Sequence, residues 1–220
     1  MKTRRQSVFV LVFFFFVFNL YVGKAQVSIP AKFDGFWYEN RSPEIDSIII
    51  EAFFDPVCPD SRDAWPPLKQ VLNYYGSRIS LVVHPFALPY HDNAFVTSRA
   101  LHIIDKLVNT TATYNVLESF FKHQEDFYNQ PTFNMSRSTI VDNIVKFVTE
   151  VVGNSYYSAV KSGFDDTNTN QATRISFKYG CSRGVFGTPI FFVNGFVLPG
   201  AGAAIDYNTW RSIIDPLVSQ

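Results

Sequence analysis

The sequence predicts an α/β protein in which a strand–helix–strand half and a strand–strand–helix half are separated by a helical insertion. Three observations carry this. A near-continuous apolar run, Ser47-Ile48-Ile49-Ile50-Glu51-Ala52-Phe53-Phe54, is followed by a helical pattern and then a second β-rich run, Arg78 to His84. The stretch from Asp92 to about Lys178 carries helical periodicity only. An Asn194-Gly195 pair then separates two apolar segments, which is a strong hairpin signal.

The chain opens with a basic cluster, Lys2, Arg4 and Arg5, and an apolar run from Val8 to Phe18. Small residues at Gly23 and Ala25 occupy the −3 and −1 positions of a cleavage site, so residues 1–25 read as a signal peptide and Gln26 as the mature N-terminus. The apolar run is shorter than the ~20 residues of a membrane-spanning helix. Cleavage removes four of the 19 basic residues and none of the 19 acidic ones, leaving 15 against 19. No basic run remains to grip a phosphate backbone, which argues against a nucleic-acid partner. No second long apolar stretch follows, so no membrane association is expected after cleavage. The C-terminus, Leu217-Val218-Ser219-Gln220, is not a retrieval signal of the Lys-Asp-Glu-Leu type. The expected location is the secretory pathway, either an endomembrane lumen or outside the cell. Sequons at Asn40, Asn109 and Asn134 fit that compartment, and Pro43 directly after the first weakens it. Asn109 and Asn134 are the expected glycosylation sites.

Residues 26–45 form an irregular N-terminal extension with Pro30, Gly35 and Pro43, in which Phe36-Trp37-Tyr38 is a candidate short edge strand. The 47–54 run, rich in β-branched and aromatic residues, predicts a central strand buried on both faces. Asp55-Pro56-Val57 ends it, and a helix begins at Cys58. Pro59 suits a first helical turn, and Asp60 and Asp63 place negative charge at its positive end. Trp65, Leu68, Val71 and Leu72 continue the helix to Gly76, with Pro66 and Pro67 inside it. Strand, helix and strand make a βαβ unit with a parallel pair. Candidate helices at 92–108, 115–128, 137–152, 154–162 and 168–179 fill the insertion. Pro189 to Val193 and Phe196 to Leu198 form the hairpin, and an amphipathic helix runs from about Tyr207 to Val218. The expected main domain is 46–218, interrupted by the insertion at about 91–179.

This order resembles the thioredoxin superfamily, specifically its DsbA-like branch. The residues that carry the match are Phe53-Phe54-Asp55-Pro56-Val57-Cys58-Pro59-Asp60-Ser61, Pro66, and Gly187-Thr188-Pro189-Ile190-Phe191-Phe192-Val193-Asn194-Gly195. The Cys-Pro-Asp-Ser motif is similar to that of a group of plant secretory-pathway thioredoxin-like proteins. The resemblance implies a cis peptide before Pro189, beside Cys58. Thr188 and Pro189, with Pro59 and Asp60, would then present an edge to an extended substrate segment. Taken alone, Pro189 reads equally as a trans proline opening an edge strand.

Cys58 is the candidate catalytic nucleophile, because a thiol reacts as thiolate and a helix start favours that form. Three features depart from a dithiol enzyme. Ser61 stands where the resolving cysteine would be, and Asp60 puts a carboxylate beside the thiol, which opposes ionisation. Ala52 occupies the place, six residues before the cysteine, of an acid common in the family. Glu51 faces the opposite side of the strand and reads as a partly exposed or paired carboxylate. Cys181 is expected to be a free small hydrophobe rather than a partner of Cys58. His84 and His91 flank the end of the second strand, each by default satisfied or facing solvent. Trp65 and Tyr90 either line a peptide groove or simply pack. No Gly-rich phosphate loop, metal-ligand cluster or Ser-His-Asp order is present, so no cofactor is expected.

Two functions follow from these residues. The first is a monothiol disulfide reductase or isomerase working through Cys58 on cysteine-containing secretory proteins, with those clients or glutathione as thiol partner. The second is a peptide-binding module of the same fold without turnover. A third, glutathione conjugation, has no determinant in the sequence. The oligomeric state is not encoded in any motif.

Overall fold

The computed structural model describes residues 29–40, 43 and 47–219 of the 220. The expected signal peptide, its cleavage site and most of the Asn40 sequon lie outside these residues. The chain divides between Phe33 and Asp34, and every element below belongs to the unit that begins at Asp34.

A five-stranded sheet organises that unit in the order β1-β3-β2-β4-β5. Its strands are β1 (Phe36–Trp37), β2 (Ile48–Phe54), β3 (Ile79–Pro85), β4 (Ile190–Val193) and β5 (Phe196–Val197). The central pair, β2 and β3, is parallel, with Ala52 opposite Val83 and Phe53 opposite His84. β4 joins β2 antiparallel, and β1 and β5 complete the edges antiparallel. The hairpin turn has positive φ at Asn194 and Gly195, as a tight two-residue turn between twisted strands requires. Asn194 also ties the turn to the sheet: its Oδ1 accepts from the Ile49 N–H at 2.8 Å.

Helix α1 (Pro59–Tyr75) crosses from β2 to β3 and continues through Pro66 and Pro67. Between β3 and β4 lie α2 (Ala94–Leu107), α3 (Thr110–His123), α4 (Asn129–Thr132), α5 (Arg137–Val152), α6 (Tyr157–Gly163) and α7 (Thr167–Ser182). The final helix is α8 (Tyr207–Val218). α3 begins five residues before the sequence pattern suggests, because Asn109 caps it by accepting from the Ala112 N–H at 2.8 Å. It ends at His123, and a short 3-10 turn, Gln124–Phe127, takes the remainder.

Strand alternation sorts the core into two sides. Ile50, Ala52, Phe54, Phe191 and Val193 belong to a large apolar cluster with Leu68 and Val71 of α1 and Trp210 and Ile214 of α8. Phe53, Ile190 and Phe192, on the other face, cluster with Phe86, Leu88, Val185 and Cys58, with Phe177 and Tyr179 of α7 packed against them. Gly180 lets α7 approach closely: a Cβ there would sit 2.4 Å from Phe86 Cδ2. The expected two-faced burial of the central strand is what the structure has, and it places the Cys58 loop at the carboxyl end of β2. Among the described residues, no helix is long and apolar enough to cross a membrane. Nor, among them, is any group of three or more His, Cys, Asp or Glu side chains placed to hold a metal ion.

Candidate functional site

The β2 strand stops at Phe54, and the chain turns through Asp55, Pro56 and Val57 before α1. Cys58 is the N-cap residue in extended conformation, and Pro59 opens the helix. The turn is closed by the Cys58 N–H donating to the Asp55 carbonyl at 3.1 Å, and the helix by the Arg62 N–H donating to the Cys58 carbonyl at 3.1 Å. The thiol does not cap the helix. It points across to the loop before β4, where Sγ donates to the Thr188 carbonyl oxygen at 3.4 Å. The Thr188-Pro189 peptide is cis. Cys58 and the Thr188-Pro189 edge, 130 residues apart in sequence, therefore meet. Cys58 is 2% exposed and Thr188 is buried, whereas Asp60 is exposed. Ser61 is fully buried, and its Oγ accepts from the Asp55 N–H at 3.3 Å. The serine hydroxyl is thus turned into the turn that carries Cys58.

Sequence reasoning missed the carboxylate that organises this turn. Asp55 is fully buried. Its Oδ1 accepts from the Val57 N–H at 2.9 Å, its Oδ2 accepts from the Leu88 N–H at 3.1 Å, and His91 Nδ1 lies 2.9 Å from the same Oδ2. An Asp two residues before Val57, directly ahead of a proline, is a signal for such an Asx turn. Gln124 was also missed: buried in the 3-10 turn after α3, it donates from Nε2 to the carbonyls of Pro56 at 3.3 Å and Cys58 at 3.2 Å. Tyr128 in turn donates its hydroxyl to Gln124 Oε1 at 2.7 Å. No local pattern announces a glutamine that acts across 66 residues. Val57, Pro59, His91, Tyr128, Asn129 and Gln130 line a groove of about 260 Å³ beside the turn. Tyr90 stands exposed next to His91, their rings 4.9 Å apart. Its pKa is raised, first by partial desolvation and then by the acidic groups of the turn, Asp55 and Asp60 among them. Phe186, three residues before Pro189, is exposed as well.

Glu51 forms a second polar cluster, on the face of the sheet covered by α7. It is 4% exposed and receives Arg183 on both oxygens, at 3.1 and 3.0 Å, and the Tyr179 hydroxyl at 2.9 Å. His84 lies between Glu51 and Asp34, with Nδ1 2.9 Å from Asp34 and Nε2 3.6 Å from Glu51. Burial pushes the Glu51 carboxyl up, but hydrogen bonds from His84 and Tyr179 and the Arg183 charge outweigh it and hold the group below its usual value. For His84, burial favours the neutral ring, and Asp34 and Glu51 win, raising its pKa. The paired-carboxylate reading of Glu51 describes this arrangement, and His84 is a satisfied buried imidazole rather than a solvent-facing one.

Other expected residues fall as follows. Trp65 is buried, stacked on Tyr114 and donating to Glu118 at 3.1 Å, so it packs. Cys181 is free but exposed on α7, so the small-hydrophobe expectation is corrected: the residue sits on the solvent side of the helix, outside both apolar clusters. Asn109 and Asn134 are both exposed, the first at the N-cap of α3 and the second ahead of Ser136, the N-cap of α5.

No protein-family model matches the chain, and no curated protein matches it in sequence. Solved structures do match. A Pseudomonas syringae protein described as a candidate protein-disulfide isomerase aligns with TM-score 0.66 and 22% identity over 76% of this chain and 93% of its own. The thiol-disulfide exchange protein alpha-DsbA2 of Wolbachia pipientis aligns with TM-score 0.60 and 18% identity, over 83% and 87%. MdbA, a thiol-disulfide oxidoreductase from Actinomyces oris, aligns with TM-score 0.60 and 17% identity, over 78% and 81%. At these identities the shared property is the fold: a DsbA-like thioredoxin fold with its helical insertion.

Proposed function

We propose that the protein is a monothiol disulfide-exchange protein that works through Cys58 on cysteine-containing proteins of the secretory pathway. The observation that carries the reading is the contact between Cys58 Sγ and the Thr188 carbonyl, with Ser61 buried behind the turn. Attack of the Cys58 thiolate on a client disulfide gives a mixed disulfide. In a dithiol protein the second cysteine then releases the client. Ser61 has neither the acidity nor the sulfur chemistry to do so, and its hydroxyl is held by Asp55. Release comes from another thiol of the client, which is isomerisation, or from an external thiol such as glutathione. Pro59, Asp60, Thr188 and Pro189 are proposed to border the client segment. The similarity of Cys-Pro-Asp-Ser to plant secretory-pathway proteins, the signal peptide and glycans on Asn109 and Asn134 belong to the same proposal.

Adduct trapping under non-reducing conditions tests it. Natural protein should yield client adducts, Cys58→Ala none, and Ser61→Cys fewer, with reductase turnover gained. Adducts that persist in Cys58→Ala, or their absence from the natural protein with every disulfide client tried, overturn the thiol mechanism. A second reading, peptide binding without turnover, is favoured by one observation: Cys58 is 2% exposed. Titration of the thiol separates the two, since a value at or above the ordinary ~8.5 favours binding and one well below it favours exchange.

A further inference from the structure

Exchange at a single cysteine moves protons as well as sulfur bonds. The thiol must lose a proton before attack, and an alkyl leaving thiolate must gain one. Six residues before the cysteine the strand carries Ala52, fully buried in an apolar cluster and with no group to move a proton. The structure offers another group. His91 Nδ1 lies 2.9 Å from Asp55 Oδ2, and that oxygen already accepts from the Leu88 N–H. A carboxylate only accepts, so Nδ1 carries the hydrogen and Nε2 is the basic nitrogen. Among the described residues nothing bonds to Nε2. The side chain is 21% exposed and lines the groove that Val57 and Pro59, the two neighbours of Cys58, also line. The geometry points to His91 as the proton carrier of Cys58, with Asp55 as the residue that fixes its tautomer and orientation.

This rests on the exchange reading above. In the step, His91 Nε2 takes the proton from Cys58 Sγ, and the thiolate attacks one sulfur of a disulfide R–S–S–R′. One S–S bond forms and one breaks. His91 returns the proton to the departing R′–S⁻, giving Cys58–S–S–R and R′–SH with no net oxidation. Asp55 also holds the turn, so its own substitution would confound structure with chemistry, and His91 is the informative position.

The experiment compares natural protein with His91→Gln on two probe disulfides. An aromatic one, 5,5′-dithiobis(2-nitrobenzoate), releases a thiolate that is stable without a proton. An alkyl one, cystamine, releases a thiolate that needs one. Proton transfer by a positioned side chain contributes on the order of 10²-fold. The expected result is a loss of that order with cystamine, where removal and return of the proton both suffer, a smaller loss with the aromatic probe, where only removal does, and recovery of the cystamine rate on adding free imidazole to a His91→Gly variant. Equal losses on both probes, no loss, or no response to imidazole overturn the assignment and leave the exchange reading standing. A natural protein inert to both probes overturns the exchange reading itself, and the assignment with it.

Discussion

Replacing Arg183 by methionine should expose how much of the fold depends on the buried Glu51 cluster. Arg183 leaves the end of α7 and binds both Glu51 oxygens, stacks over Phe192 at 4.4 Å and donates to the Gly195 carbonyl at 3.3 Å. It therefore joins α7, β2 and the β4–β5 turn. Removing one partner of a buried ion pair costs about 3–5 kcal/mol, because the other charge is left uncompensated. Arg183 is 25% exposed on its side chain, which admits solvent and lowers the expectation to roughly 2–4 kcal/mol. The residual charge is Glu51, still facing His84 and Tyr179. Its native pKa is held below 4.5, so its contribution is present above pH 4.5 and lost as pH falls through the native value. Without Arg183 that value rises, and protonation relieves the unpaired charge. The stability gap between natural protein and Arg183→Met should thus be widest at neutral pH and narrow as Glu51 protonates. Urea midpoints across that range measure it, and a Glu51→Gln cycle should return a coupling of about 1–2 kcal/mol. A gap independent of pH, or costs that add within about 0.5 kcal/mol, refutes the argument.

Two further substitutions probe the face beneath Cys58 and the insertion. Gly180→Ala should destabilise by about 1–3 kcal/mol against the helix-propensity gain, because the new Cβ meets Phe86 Cδ2 at 2.4 Å and Cε2 at 2.7 Å; a raised urea midpoint refutes it. His102 packs on Phe36 and bonds Ser176 at 3.0 Å, and burial pulls its pKa down to about 4. A depressed histidine costs stability as pH falls from about 6.5 toward 4, by at most about 3 kcal/mol at 1.36 kcal/mol per pH unit, and nearer ~2 for a ring with some solvent access. His84, raised instead, works in the opposite direction, its contribution present below pH 6.5 and lost as pH rises through its native value. The His102 share is therefore read as the difference between natural protein and His102→Gln at the two pH values. Parallel acid losses in both proteins refute it.

Local pattern carried the fold. The β-branched run before Phe54, the Asn194-Gly195 pair and the helical periods each depend on neighbours within one element; the strand and hairpin are present as read, and the helices are present with shifted ends, α3 at 110–123 instead of 115–128. The site divides differently. The meeting of Cys58 with Thr188 spans 130 residues and was reachable only because both motifs resemble one family. Gln124 and the His91–Asp55 pair were invisible for a physical reason: each is a polar group whose partner lies far along the chain, 66 and 68 residues away for Gln124 and 36 for His91. Glu51 illustrates the limit from the other side. Strand alternation gave its face, but not Arg183, 132 residues away, or Tyr179, 128 away.

The serine at position 61 changes architecture and chemistry together. Its oxygen accepts from the Asp55 N–H at 3.3 Å, a role for which sulfur, a weak acceptor, is poorly suited. With that N–H satisfied by Ser61, the Asp55 carboxylate is left to hold Val57, Leu88 and His91, while Gln124 holds the carbonyls on either side of Val57. The turn is fixed by groups that form no bond to sulfur, and the second cysteine of the chain, Cys181, is exposed on α7 rather than beside it. A mixed disulfide formed at Cys58 has no resolving thiol within the turn. Under the proposed mechanism, its lifetime is then set by the supply of thiols from the client or from solution, so the same protein holds a client where thiols are scarce and exchanges it where they are abundant.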